Sequence, residues 1–146
     1  MSDEPSNAAS ESLRYAFDFF TERGCPSEKL ARAGLTDDFT YEDRRSGPSF
    51  PDADAETYSK IVLSVWQTGA DGQPRWETET LAVRGERFAG VAVRVDYGNG
   101  MTFDAIQVIG LDAALSLLQR VVDFDRDDVD GAIAELDRMH GQSEAS

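Results

Sequence analysis

The chain has one cysteine, Cys25, and one histidine, His140. A lone thiol excludes an internal disulfide and a CxxC pair, and it fits a reducing compartment. The two residues together exclude a Cys/His zinc cluster and a His-pair metal site. A Ser-His-Asp arrangement within one chain would have to rely on His140 alone. Lysine is almost missing as well: Lys29 and Lys60 are the only two, and the remaining cations are arginines. Lys and Arg total 14 against 28 Asp and Glu, for a formal net charge of −14. A chain so short of positive charge has no basic face for a nucleic-acid backbone or an anionic membrane. Without a basic-then-apolar leader or an apolar run of ~18 residues, it is expected to be soluble and cytoplasmic. No phosphate-binding glycine loop is present, since Gly85 and the Gly98/Gly100 pair fall between strand-like runs.

What is present suits one domain: 146 residues, 40% of them hydrophobic, enough to bury a core. Met1–Ala9 is small, polar and acidic and is expected to be a disordered tail, as is 141–146; the domain is expected to span 10–140. Leu13, Ala16, Phe17 and Phe20 recur at helical spacing from Ser10 to Arg23, and a short helix from Ser27 to Ala33 follows. Asp52 or Asp54 can cap a third helix with the stripe Tyr58, Ile61, Val62, Val65 and Trp66. Alternating runs at 75–83, 88–97, 101–109 and 115–124 predict consecutive antiparallel strands. A last helix follows Asp125, with Val129, Ala132, Ile133, Leu136 and Met139 as its apolar stripe. Asp123, Asp125 and Asp127 imitate the start of an EF-hand loop. Asp128 and Ala134 stand where its glycine and bidentate glutamate belong, so helix capping accounts for them better and no metal is expected.

The stretch from Leu35 to Gly47 organises the rest. Thr36, Asp37 and Asp38 favour a turn, and a strand then places Phe39, Tyr41 and Asp43 on one face. A carboxylate is thereby aimed at the aromatic side, with Arg44 and Arg45 beside it. As a surface aspartate paired with either arginine, Asp43 would count for little; in a pocket it would be an acid or base.

This strand, Tyr41-Glu42-Asp43-Arg44, and the ending Phe124-Asp125-x-Asp127-Asp128-x-x-x-Ala132 resemble the SnoaL-like branch of the nuclear-transport-factor-2-like superfamily, relatives of ketosteroid isomerases and polyketide cyclases. The resemblance implies an α+β cone: a strongly curved antiparallel sheet wrapped around N-terminal helices, with a short C-terminal helix and a pocket. It implies a base at Asp43, a first-helix tyrosine donor at Tyr15, with Phe19 a rival for that place, and Gln107 where an acid donor belongs. Glutamine is the weaker donor, and Arg44 replaces a proline and lowers the basicity of Asp43. The fold also hosts proteins without catalysis, so three functions stay open. The first is a pocket for a small apolar ligand, lined by Phe19, Tyr41, Trp66 and Phe103 and needing no cofactor. The second is an acid–base enzyme using Asp43, Tyr15 and Gln107, and the third is a dimerising module. Residues 101–109 and 115–124 are apolar on both faces, which predicts a homodimer through the outer face of the sheet.

Overall fold

The computed structural model describes residues 4–23, 27–47, 50–68, 75–96, 100 and 102–145, apart from the side chains of 20–23, 65–68 and 144–145. The Trp66 side chain, Cys25, the turn from Gly69 to Gly72 and Gly98-Asn99 therefore lie outside the described residues.

Helix α1 (Ala8–Arg23) starts two residues ahead of Ser10 because Asn7 caps it. The Ser10 N–H donates to Asn7 Oδ1 and the Asn7 N–H to Ser10 Oγ, both at 2.9 Å, a reciprocal box that satisfies two N-terminal donors. Asn7 Nδ2 also donates to the carbonyls of Gly85 and Phe88, fastening α1 to a hairpin turn. Helix α2 (Glu28–Arg32) is capped by Ser27. Strand β1 (Leu35–Asp43) follows, then a two-residue strand β2 (Ala53–Asp54) that pairs with it. Asp54 caps α3 (Ala55–Thr68), its Oδ1 accepting from the Thr57 N–H. Strands β3 (Arg75–Arg84), β4 (Phe88–Asp96), β5 (Thr102–Leu111) and β6 (Leu118–Phe124) lead to α4 (Val129–Ala145). Leu115 and Leu117, expected in the last strand, form a turn instead. Asp112 Oδ1 accepts from the N–H groups of Ser116 and Leu117, and Leu115 sits at φ 61°. Helix α4 also continues past His140 through 141–145, where a tail was expected.

The sheet is six-stranded and open, in the order β2-β1-β6-β5-β4-β3. Strands β3 to β6 pair antiparallel, as their alternation predicts, whereas β1 joins β6 in parallel, with Tyr41 beside Val121 and Asp43 beside Asp123. A parallel pair needs a long connection, and here every other strand lies between the two. The inner face packs Phe39, Val91, Val93, Val95 and Ile109 against Leu13 and Phe17 of α1 and Tyr58 and Ile61 of α3. This is the cone expected from the sequence.

The outer face carries the second apolar set. Ile106, Val108, Val122 and Phe124 are buried under Ala132, Leu136 and Met139 of α4. The two-faced burial of β5 and β6 therefore needs no second copy. Arg44 points to this side and pairs with Glu135 of α4 at 2.7 Å, while Arg138 also binds Glu135. Gly110 lets α4 approach, since a Cβ there would stand 3.0 Å from Met139 Cε and 3.0 Å from the Phe88 ring. Gly110→Val is accordingly expected to cost about 1–3 kcal/mol by overpacking, read as a lower urea midpoint; an unchanged midpoint would mean α4 is not seated there.

Candidate functional site

Alternation along β1, β6 and β5 brings one polar row to the inner face. Asp43, Asp123 and Gln107 are cross-strand neighbours in that order. In the adjoining row Tyr41 donates its hydroxyl proton to Asp123 Oδ2 at 2.6 Å. The Tyr41 ring lies 4.8 Å from that of Tyr58, which lies 4.9 Å from Phe39. This aromatic stack fixes the direction of the hydroxyl.

Above the row is a cavity of about 360 Å³ between α1, α2, α3 and the sheet. Leu13, Ala16, Phe17, Phe19, Ile61, Val62, Val95 and Phe103 line it, and Tyr41, Gln107 and Asp123 supply polar atoms. Among the described lining residues Asp123 is the one carboxylic acid, and no Lys, Arg or His is among them. Asp123 is 1% exposed, and among the described residues its Oδ1 has no hydrogen-bond partner. Burial pushes its pKa up to about 7; the Tyr41 hydroxyl, Arg45 and the side chain of Gln107, close by on β5 but outside hydrogen-bond geometry with Oδ1, pull against the rise, and the neighbouring Asp43 carboxylate adds to it. Tyr41 is itself a weaker acid than usual, first through burial and then through the charge of Asp123. At neutral pH the site thus holds a phenol and a carboxyl that exchanges its proton.

Asp43 faces inward but does not line the cavity, and its side chain is 0% exposed. It accepts from Arg45 Nε (2.9 Å), Arg45 Nη2 (2.8 Å), the Arg45 N–H (3.1 Å) and the Phe50 N–H (2.9 Å). Burial works to raise its pKa, but these hydrogen bonds and the Arg45 charge outweigh it and hold the carboxyl below its usual range. Arg45 lies 4.8 Å from the centre of the Phe103 ring, beneath the cavity wall. Four donors occupy the oxygens of Asp43, so it is an ionised anchor.

The other residues singled out from the sequence spread along the cavity. Tyr15 lies at the mouth, 69% exposed, its ring 6.3 Å from that of Phe19. Phe19, Tyr41 and Phe103 line the walls, and Gln107 lies on the floor. Asp43, Tyr15 and Gln107 do not meet around one point, because Asp123 stands between Asp43 and Gln107 and Tyr15 is at the far end. Asp123 is the residue that sequence reasoning missed. Its signal was parity: it shares the face of Val121 in the stretch 121–124, whose other residues, Val121, Val122 and Phe124, are apolar. Among the described residues, no group of three His, Cys, Asp or Glu is placed to hold a metal ion. No described helix is long and apolar enough to cross a membrane.

No protein-family model matches the chain, and no curated protein does. Solved structures do. A protein of unknown function with a cystatin-like fold from Methylobium petroleophilum PM1 is 15% identical with a TM-score of 0.60, over 85% of this chain and 80% of that one. A steroid delta-isomerase from Pseudomonas aeruginosa is 14% identical with a TM-score of 0.55, over 97% of both chains. An LEH-like epoxide hydrolase from M. tuberculosis is 11% identical with a TM-score of 0.51, over 88% of this chain and 91% of that one. At such identities what is shared is the fold.

Proposed function

We propose that this chain, with the cone fold of the nuclear-transport-factor-2-like proteins, binds a small, flat, mainly apolar molecule in its cavity, oriented by one polar group that meets Asp123. The observation that carries this is the unpartnered Asp123 Oδ1 at the buried end of an apolar chamber. A buried polar atom left without a partner costs about 1–3 kcal/mol, and a ligand group that completes the hydrogen bond recovers that. The volume suits a small molecule. A lining whose described residues include one carboxyl and no cation favours a neutral ligand over an anion.

A second reading, acid–base catalysis, is favoured by the pKa of Asp123. A group that holds a proton near neutrality suits proton transfer in either direction. Asp123 with Tyr41 and Gln107 then replaces the set of Asp43, Tyr15 and Gln107 expected from the resemblance. Two of the structural neighbours are named as a delta-isomerase and an epoxide hydrolase, and moving a double bond or opening an epoxide involves proton transfer.

Prodan, a neutral naphthyl ketone whose emission moves to the blue in apolar surroundings, tests the cavity. It is expected to bind at pH 6, where Asp123 can donate to the ketone, and about tenfold more weakly at pH 8.5, the loss of roughly one hydrogen bond. Val62→Trp, which fills the cavity from α3, is expected to remove the blue shift. No shift at pH 6, or one that Val62→Trp leaves intact, overturns the binding reading.

A further inference from the structure

We propose that Asp43 is a positioning residue of this site: its carboxylate, balanced by Arg45, sets how readily Asp123 gives up its proton. The inference rests on the reading of Asp123 as the proton-holding group of the cavity. Asp43 does not touch the cavity and has no oxygen left to offer a ligand, yet it is not on the surface either. It is the in-register neighbour of Asp123 on the same face of a parallel strand pair, and adjacent strands run about 4.8 Å apart. A buried ion pair seldom adds stability over an apolar pair of the same shape. This one lies one strand from the carboxyl that the cavity uses.

Among the described residues, few other charges face Asp123. From β1 come Tyr41 and Asp43, and from the segment after β1 comes Arg45. From β5 comes the uncharged Gln107, and from α3 comes Tyr58, beyond Tyr41. Tyr15 of α1 is at the mouth, and β4 presents Val91, Val93 and Val95 to the inner face. Arg44, Glu135 and Arg138 belong to the outer side, across the sheet. Asp43 and Arg45 are therefore the two fixed charges with leverage, and their signs oppose. With both present, the excess negative charge nearest Asp123 favours its protonated form. Without the Asp43 charge, the guanidinium alone favours the carboxylate. Without Arg45, two carboxylates share a site and the proton is held more tightly.

Side-chain carboxyl NMR across pH 4–9 reads this directly, with the Asp123 signal assigned by its loss in Asp123→Asn. Asp43→Asn is expected to lower the Asp123 midpoint by about one pH unit or more, and Arg45→Met to raise it by a similar amount. Arg45→Lys keeps the charge while losing the two-pronged contact, and is expected to leave the midpoint within about half a unit of wild type. A purely structural pair would move neither midpoint, or both in one direction, and either result overturns the role of Asp43. Should Asp43→Asn fail to fold, Arg45→Met against Arg45→Lys decides: equal midpoints in those two variants overturn it. A wild-type Asp123 that titrates below about pH 5 removes the reading of Asp123 itself. A wild-type midpoint near neutrality that the variants leave in place removes the inference about Asp43 alone.

Discussion

Asp123→Asn is expected to make the protein more stable than wild type at pH 8.5 and to flatten the alkaline side of its stability profile. The sign follows from the raised pKa. Asp123 titrates near 3.8 when unfolded and at about 7 when folded, so between those values the native chain binds more protons than the unfolded one. Stability must then fall as pH rises through this window. The contribution is complete below the unfolded pKa and gone above the folded one, a span worth about 4 kcal/mol. Asp43 acts in the opposite sense: its depressed pKa gives stability that is present above its unfolded value and lost as pH falls through the folded one. Wild type should therefore be most stable in mildly acidic solution. Urea midpoints at pH 5.5 and 8.5 check this. A wild type equally stable at both, or more stable at 8.5, would mean that Asp123 is ionised throughout. Asparagine keeps an acceptor for the Tyr41 hydroxyl, so the variant should keep the fold while losing the pH response of Prodan binding.

The second large effect is expected at Leu136, which is fully buried between α4 and the outer face of the sheet. Leu136→Ala should cost about 2–5 kcal/mol, the range for opening a cavity under a buried leucine. The exposed Val129→Ala on the same helix should stay within about 0.5 kcal/mol. Leu136→Asp goes further, because a carboxylate cannot stay in that interface unpaired. It should lift α4 and uncover Ile106, Val108, Val122 and Phe124, an apolar strip that drives copies together. Sedimentation should then show concentration-dependent association in Leu136→Asp beyond that of wild type. If Leu136→Ala costs less than about 1 kcal/mol, α4 does not hold this face.

These two residues show what was legible in the sequence. Strand period gave the inward set Phe39, Tyr41 and Asp43, and the valines of β4, because side-chain direction is fixed by counting alone. The stripe of α4 was legible for the same reason, save for Val129, which is exposed, but an amphipathic helix says that it buries a face and not which face it covers. Strands apolar on both sides were thus assigned to a second copy when the chain covers them itself. Asp123 was overlooked because Asp125 and Asp127 follow it, and a spaced run of aspartates reads as capping or as a failed metal loop. Its role depends on parity within β6, and the first residues assigned to that strand, Leu115 to Leu117, belong to a turn. The partner of Asp43 was anticipated only as a choice between two adjacent arginines. Which of them folds inward is decided by the rings of Phe50 and Phe103, contacts far apart in sequence or formed by a loop with no period.

The parallel seam between β1 and β6 also governs when the site can exist. Tyr41 and Asp123 are 82 positions apart, and β6 is made after the other five strands of the sheet. At a synthesis rate of about 5–20 residues per second, Tyr41 leaves the ribosome roughly 4–16 s before its partner. Through that interval α1, α3 and the β3–β4–β5 meander can assemble, while β1 has no neighbour but the two-residue β2. The edge of β1 that β6 later fills is then unpaired and open to chaperones and to other nascent chains. A chain arrested before residue 118 consequently has most of the walls of the cavity and no acid at its floor.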